Sequence, residues 1–218
     1  MIETTIFASP QRRIQALILF FQTVIFGSFI YGLAIGAPSV IVNAVIALGV
    51  TFIPALLQRD WKLRLSPSVT LWLTLGVTLH TIGMLGLYDF INWWDTLTHF
   101  TSGMLVAGTA YTIIIAFDNQ TSKLYFPPLF VNAFVLITTL AFGVSWEILE
   151  FIGRTLADAL GFDPILVQYG LSDSITDLIV DALSGVIIII VGPHTLSSLI
   201  QTIDSWLEEH FQEKIKQM

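Results

Sequence analysis

The stretch 170-GLSDSITDLIVDALSGVIIIIV-191 carries two signals that rarely share one helix. From about residue 174 to 192 it is apolar enough to cross a bilayer, whose hydrocarbon core of ~30 Å takes roughly 20 mostly apolar residues. Yet Asp173, Asp177 and Asp181 recur every four residues along one face of it, and Gly185 continues the stripe. Hydropathy alone underrates this segment. Its neighbours show why it counts as a span.

Five further stretches qualify once loops are cut at Pro, Gly and charge clusters: about 14–36, 39–57, 68–88, 95–117 and 129–153. The second of these is short and contains Pro54. The run from Ile14 to Ala37 is too long for a signal-peptide core and follows no small-residue cleavage motif, so it reads as a retained first span. Composition agrees. Of 218 residues, 55% are hydrophobic and 11% charged, with a mean hydropathy of +0.80, whereas soluble domains carry about 25% charged residues. The fold class expected is therefore all-α: a polytopic transmembrane bundle of about six spans, with neither internal repeat nor low-complexity region.

Six spans also sort the cations. Arg12 and Arg13 precede the first, Arg59, Lys62 and Arg64 separate the second from the third, Lys123 separates the fourth from the fifth, and Lys214 and Lys216 follow the sixth. All of these fall on one side; only Arg154 falls on the other. Dropping any span would scatter them. By the positive-inside rule both termini are expected in the cytoplasm, in a multi-pass protein of the cell membrane, with the loops around 37–38, 88–94 and 154–173 outside.

Beyond the bundle of residues 1–194, residues 195–218 place Leu196, Leu199, Ile200, Ile203, Trp206, Leu207 and Phe211 at helical spacing opposite Asp204, Glu208 and Glu209. This is an amphipathic cytoplasmic helix. A polybasic face would suit anionic lipid, but this one is acidic, so it is expected to pack on the bundle or on another subunit, whether a second copy or a partner. A net charge of −7 gives no reason to expect a nucleic-acid partner.

The orientation gives the acids a location. Asp89, Asp95, Glu147, Glu150, Asp158, Asp163, Asp173, Asp177 and Asp181 all fall in outer loops or outer halves of spans, an excess that attracts cations. Asp95 and His99 share a face at the start of the fourth span, and Glu147, Glu150 and Arg154 follow one stripe of the fifth. His80 on the third span can reach the same depth. A carboxylate at mid-helix costs about 2.5–3.5 kcal/mol on insertion scales, so four cost on the order of 10 kcal/mol before mutual repulsion. Protonation, hydration or shared metal ions must compensate. With no cysteine in the chain, an oxygen-rich set with one or two imidazoles suits Mg²⁺, Mn²⁺, Ca²⁺, Fe²⁺ or Zn²⁺.

Simpler roles exist for several of these residues. Asp95 and Asp173 can cap helices, Glu150 with Arg154 makes an ordinary i,i+4 pair, and His80 alone reads as a hydrogen-bonded interior histidine. Asp181, two turns inside its helix, cannot be a cap. Trp93 and Trp94 read as interfacial anchors, and Gly83, Gly103, Gly143, Gly153 and Gly185 as points of close helix approach.

The order His80-x2-Gly83, Tyr88-Asp89, Asp95-x3-His99 with Gly103, Trp146-Glu147-x2-Glu150, then Asp173-x3-Asp177-x3-Asp181-x3-Gly185 resembles the YjdF-like (DUF2238) family of predicted membrane proteins over about residues 80–190. A looser likeness to VanZ-like proteins departs at Asp181, where those often have Asn, and at Thr96, where they have Lys. The DUF2238 resemblance implies a multi-pass fold with a shared polar site and names no reaction.

The leading expectation is a divalent-metal site of Asp95, His99, Glu147, Glu150, Asp177 and Asp181, supported by His80, Asp173 and Arg154. It would serve a hydrolase with metal-bound water, Glu147 or Glu150 as general base, and a lipid or lipid-linked substrate. The alternatives are a proton- or cation-coupled transporter and a non-catalytic accessory subunit that binds through its C-terminal helix.

Overall fold

The computed structural model describes residues 9–120, 125–161, 164–166 and 169–217. Lys123 and Asp163 lie outside the described residues, as do the side chains of Phe211, Lys214 and Lys216. The helices are α1 (Pro10–Ile35), α2 (Pro38–Asp60), α3 (Pro67–Phe90), α4 (Trp94–Gln120), α5 (Pro128–Leu160), α6 (Leu171–Thr195) and α7 (Ser197–Gln217). The first six are each long and apolar enough to span a bilayer. The protein is an all-α, multi-pass membrane bundle, and its lipid-facing helices touch the bilayer.

Local chemistry sets the helix ends. Pro10, Pro38, Pro67 and Pro128 open α1, α2, α3 and α5, where a missing N–H costs nothing. Ser9 and Ser66 cap α1 and α3 by accepting from the amides of Arg12 and Val69, each at 3.4 Å. α1 stops at Gly36, whose φ of 66° turns the chain into α2. Pro54 removes a rung from α2, so the helix breaks at Phe52 and restarts at Ile53. α3 widens into a π-turn over Gly83–Leu87, with Gly86 at φ 113°, a conformation that side chains resist.

α5 is the one element that clearly outruns its expected bounds. Its 33 residues make a rod of about 50 Å, longer than the hydrocarbon is thick. The run 154-RTLADAL-160 was expected in an outer loop but continues the helix, because Leu and Ala favour it. Gly161, at φ 73°, ends it.

The bundle has two halves. α1, α2 and α3 pack together, as do α4, α5, α6 and α7, and α3 against α4 joins them. Ala107, Ala110, Tyr111, Ile114, Val131, Val135, Ile188 and Ile200 form the larger core. Between membrane helices such packing works through close van der Waals fit, which small residues permit. At Gly32, for example, an added Cβ would stand 3.0 Å from Val40. α7 lies on its own bundle: Ile200 and Leu207 are buried, Trp206 donates to the Trp61 carbonyl at 2.6 Å while their rings stack, and Asn119 donates to Asp204 at 2.9 Å.

Replacing Gly86 with alanine should lower stability by about 1–3 kcal/mol, seen as a lower thermal midpoint in detergent. Gly27→Ala, where an added Cβ meets nothing within 4 Å, is the control inside α1 and should hold or raise the midpoint, since alanine favours a helix over glycine.

Candidate metal centre

α4 begins at Trp94, so Asp95 occupies its first turn and His99 stands one turn further in on the same face. From α5, Glu147 points at this face, and from α6 come Asp177 and, a turn deeper, Asp181. The imidazole of His99 is the hub. Its Nε2 lies 3.9 Å from Asp95 Oδ1, 3.8 Å from Glu147 Oε1 and 4.0 Å from Asp177 Oδ2. Its Nδ1, on the opposite edge, lies 3.7 Å from Asp181 Oδ2. His99, Glu147, Asp177 and Asp181 are all buried, and Asp95 is partly so.

Burial without partners is the telling feature. Both carboxylate oxygens of Glu147 and Oδ2 of Asp177 are buried and accept no hydrogen bond within the protein. A buried polar atom in that state costs about 1–3 kcal/mol, and more if charged. The oxygens sit just too far from Nε2 to bond it, yet one ligand atom from each of Asp95, His99 and Asp177 falls within 4.8 Å of the others. Ligands about 2.3–2.6 Å from one hard cation spread to about 5 Å when they face each other across it. The donor set therefore fits a divalent ion in size as well as in chemistry.

Asp181 is held by what its neighbours lack. A Cβ on Gly143 of α5 would collide with Asp181 Oδ2, and one on Gly103 of α4 would stand 2.8 Å from Oδ1. The carboxylate thus lies in a slot between two bare backbones. Ser184, one turn on, donates to the Phe100 carbonyl at 3.2 Å and ties α6 to α4.

His80 belongs to a different arrangement. The Asn43 amide nitrogen donates to the carbonyls of Ser39 (2.8 Å) and Ile165 (2.7 Å), so its oxygen must be the acceptor facing His80 Nε2 at 3.0 Å. That puts the proton of a neutral ring on Nε2, and Nδ1 accepts from Tyr88 at 2.8 Å. Tyr88 lies 3.4 Å from Thr98 Oγ1, which donates to the Asp95 carbonyl at 2.8 Å. His80 thus stands behind the centre, bonded to Tyr88, whose oxygen packs beside Thr98. Gly83 makes room for the Tyr88 ring, which an added Cβ would strike.

Three other expected residues stand apart. Glu150 is buried but accepts from Trp146 Nε1 at 2.8 Å, one turn from the hub. Asp173, third in α6, accepts from the Tyr169 amide at 3.2 Å, the role of an end-of-helix acid. Arg154 is exposed, a turn beyond Glu150. The Tyr169 hydroxyl donates to Asp89 at 3.1 Å. Burial and this carboxylate push its phenol above the usual range.

Asn43, Tyr88, Thr98 and Trp146 escaped the sequence-based list of site residues. For Asn43 the available signal was a lone amide in an apolar span. Tyr88 and Trp146 stand within the family motif without belonging to its acid–histidine set.

The family model described as Predicted membrane protein (DUF2238) matches residues 16–198, and the chain belongs to this family. No curated protein and no solved structure matches it. The VanZ-like likeness gains no support from these comparisons.

The slot around Asp181 makes a testable demand. Gly143→Ala should destabilise by about 1–3 kcal/mol through overpacking, and adding Asp181→Ala should restore much of that loss. A double-mutant cycle on thermal unfolding in detergent reads the coupling; strictly additive effects would contradict the slot.

Proposed function

We propose that this DUF2238 protein holds one divalent cation between Asp95, His99 and Asp177, with Glu147 beside it as general base, and uses it for hydrolysis of a lipid or lipid-linked substrate. The observation that carries this reading is the group of unpartnered carboxylate oxygens, on Glu147 and Asp177, buried against a single imidazole. Without a cation, four acids around one histidine would repel one another in a poorly solvated interior.

The remaining residues fall into supporting places. Asp181 faces the edge of His99 away from the cluster, at 3.7 Å. Accepting from Nδ1–H there would fix the tautomer and aim Nε2 at the ion, as second-layer carboxylates do. Glu150, bonded to Trp146, stands outside the ligand set and does not serve as base. A divalent ion held there would supply Lewis-acid polarisation of a water and of an ester or phosphoryl oxygen. Glu147 would accept the proton from the attacking water and return it to the leaving oxygen, so that water is added across the broken bond.

Charge placement supports an outward-facing centre. Arg12, Arg13, Arg59, Lys62 and Arg64 belong to the end of the bundle opposite Asp95, which the positive-inside rule assigns to the cytoplasm. A transport role is less well served. Inward of Asp181 the same helices close on Ala107, Tyr111, Val135 and Ile188, an apolar plug that a moving ion would have to cross. An accessory role has less to work with, since the described apolar residues of α7 already lie against the chain's own bundle.

Elemental analysis of the purified protein should find about one divalent ion per chain, lost in His99→Ala and in Asp177→Ala combined with Glu147→Ala. Asp181→Asn should keep the fold but weaken metal affinity about 10–100-fold. Absence of a stoichiometric ion in the wild type overturns the reading.

A further inference from the structure

Between the two halves of the bundle lies a cleft of about 490 Å³ whose walls come chiefly from α2, α3, α4 and α5, completed by Asp181 of α6 and by Ile165 and Leu166. Its depth follows the helix axes. On α4 the lining runs from Asp95 to Val106, which at 1.5 Å per residue is about 16 Å. That is half of a ~30 Å hydrocarbon core. On α5 it runs from Leu149 back to Thr139, about 15 Å by the same rule.

The lining changes character along this length. Most of the polar lining, Asn43, His80, Tyr88, Thr98 and His99, stands at the end near Asp95, where Ile165 and Leu166 also line the cleft; toward the middle of the bundle the walls are chiefly Val50, Val77, Val106 and Phe142, with Thr139 and Asp181 among them. Mostly polar toward the membrane surface and mostly apolar toward its centre is the polarity profile of one leaflet. The rim faces sideways, since Ile46 on α2 is 59% exposed and Phe142 on α5 61% exposed, and these helices belong to different halves. A lipid can therefore reach the carboxylate cluster without leaving the bilayer.

We infer that this cleft is a lateral binding site for one acyl chain of a phospholipid, entered between α2 and α5, with the lipid phosphate on the cation at His99. The inference rests on the metal reading above and names its ligand. The phosphate follows from the proposed cation. Neither Lys nor Arg lines the cleft, so the charge that would draw an anionic head is that of the divalent ion, for which phosphate oxygen is a suitable hard ligand, with Asn43, Tyr88 and Thr98 beside it as neutral hydrogen-bonding groups. Asp95, the least buried of the three residues that fit one ion, marks the open side.

The test uses the full-length wild-type protein in nanodiscs doped with a phosphatidic acid that carries a diazirine along its acyl chain. After irradiation, adducts mapped by mass spectrometry should concentrate on Ala47, Val50 and Val106, which lie inside the cleft, beyond what exposure predicts from Leu19 on the outer face of α1, 65% exposed. EDTA should reduce the cleft adducts several-fold and leave those at Leu19 unchanged. Val106→Trp should also remove them while the metal content stays at the wild-type value. Adducts distributed by exposure alone, in protein that holds its ion, overturn the lipid site and leave the metal reading standing. Cleft adducts that ignore EDTA overturn the phosphate–cation attachment. Protein without a stoichiometric ion removes the metal reading itself, and the attachment with it.

Discussion

A carboxylate buried among helices whose outer faces meet hydrocarbon needs a partner, and the packing around His99 follows from that need. Asp95, Glu147, Asp177 and Asp181 approach one imidazole at 3.7–4.0 Å. Every close approach nearby serves that gathering. Gly103 and Gly143 withdraw so that Asp181 can enter, Ser184 binds α6 to α4, and the apolar core begins where the acids end. Polar groups in low dielectric interact strongly but are costly if left unmatched, so the helices must be held in register to within less than an ångström.

The two halves of the bundle answer different parts of this constraint. α4, α5 and α6 supply the charged groups and the tight core beneath them. α2 and α3 supply a scaffold of neutral hydrogen bonds, from Asn43 through His80 to Tyr88, whose hydroxyl oxygen lies 3.4 Å from that of Thr98 on α4 and adds no charge beside Asp95. Because the halves meet mainly through α3 and α4, a cleft remains between α2 and α5, and it opens onto the acidic cluster. The π-turn before Tyr88 lets the Tyr88 ring fold back over Gly83 onto His80, beside the cluster.

How much of this was legible in the sequence depends on the range of the interaction. The spans follow from length and apolarity, and the shared faces of Asp95 with His99 and of Asp177 with Asp181 follow from a 3.6-residue period. Both are properties of one helix. The choice of Glu147 over Glu150 as the acid nearest the hub is a matter of rotation between α5 and α4, which no single-helix pattern contains. The same holds for His80: its spacing puts it at the right depth, and only Asn43, 37 residues away in the chain, and Tyr88 show where its two ring nitrogens are engaged. The overrun of α5 had a local signal in its Leu and Ala residues, hidden by the assumption that a span stops where the bilayer does.

Depth ties these facts together. Asp181 lies ten residues inside α6, about 15 Å from its start, where an acid serving only to cap a helix or meet water has no reason to be. An acid that deep must be placed before it can be useful, and two glycines on two other helices make its slot. Such an arrangement constrains three helices at once, so a small shift of any of them moves His99 with respect to Asp95 and Asp177. The slot that accommodates Asp181 also brings its carboxylate to 3.7 Å from His99, so the packing of the bundle and the geometry of its polar centre rest on the same few contacts.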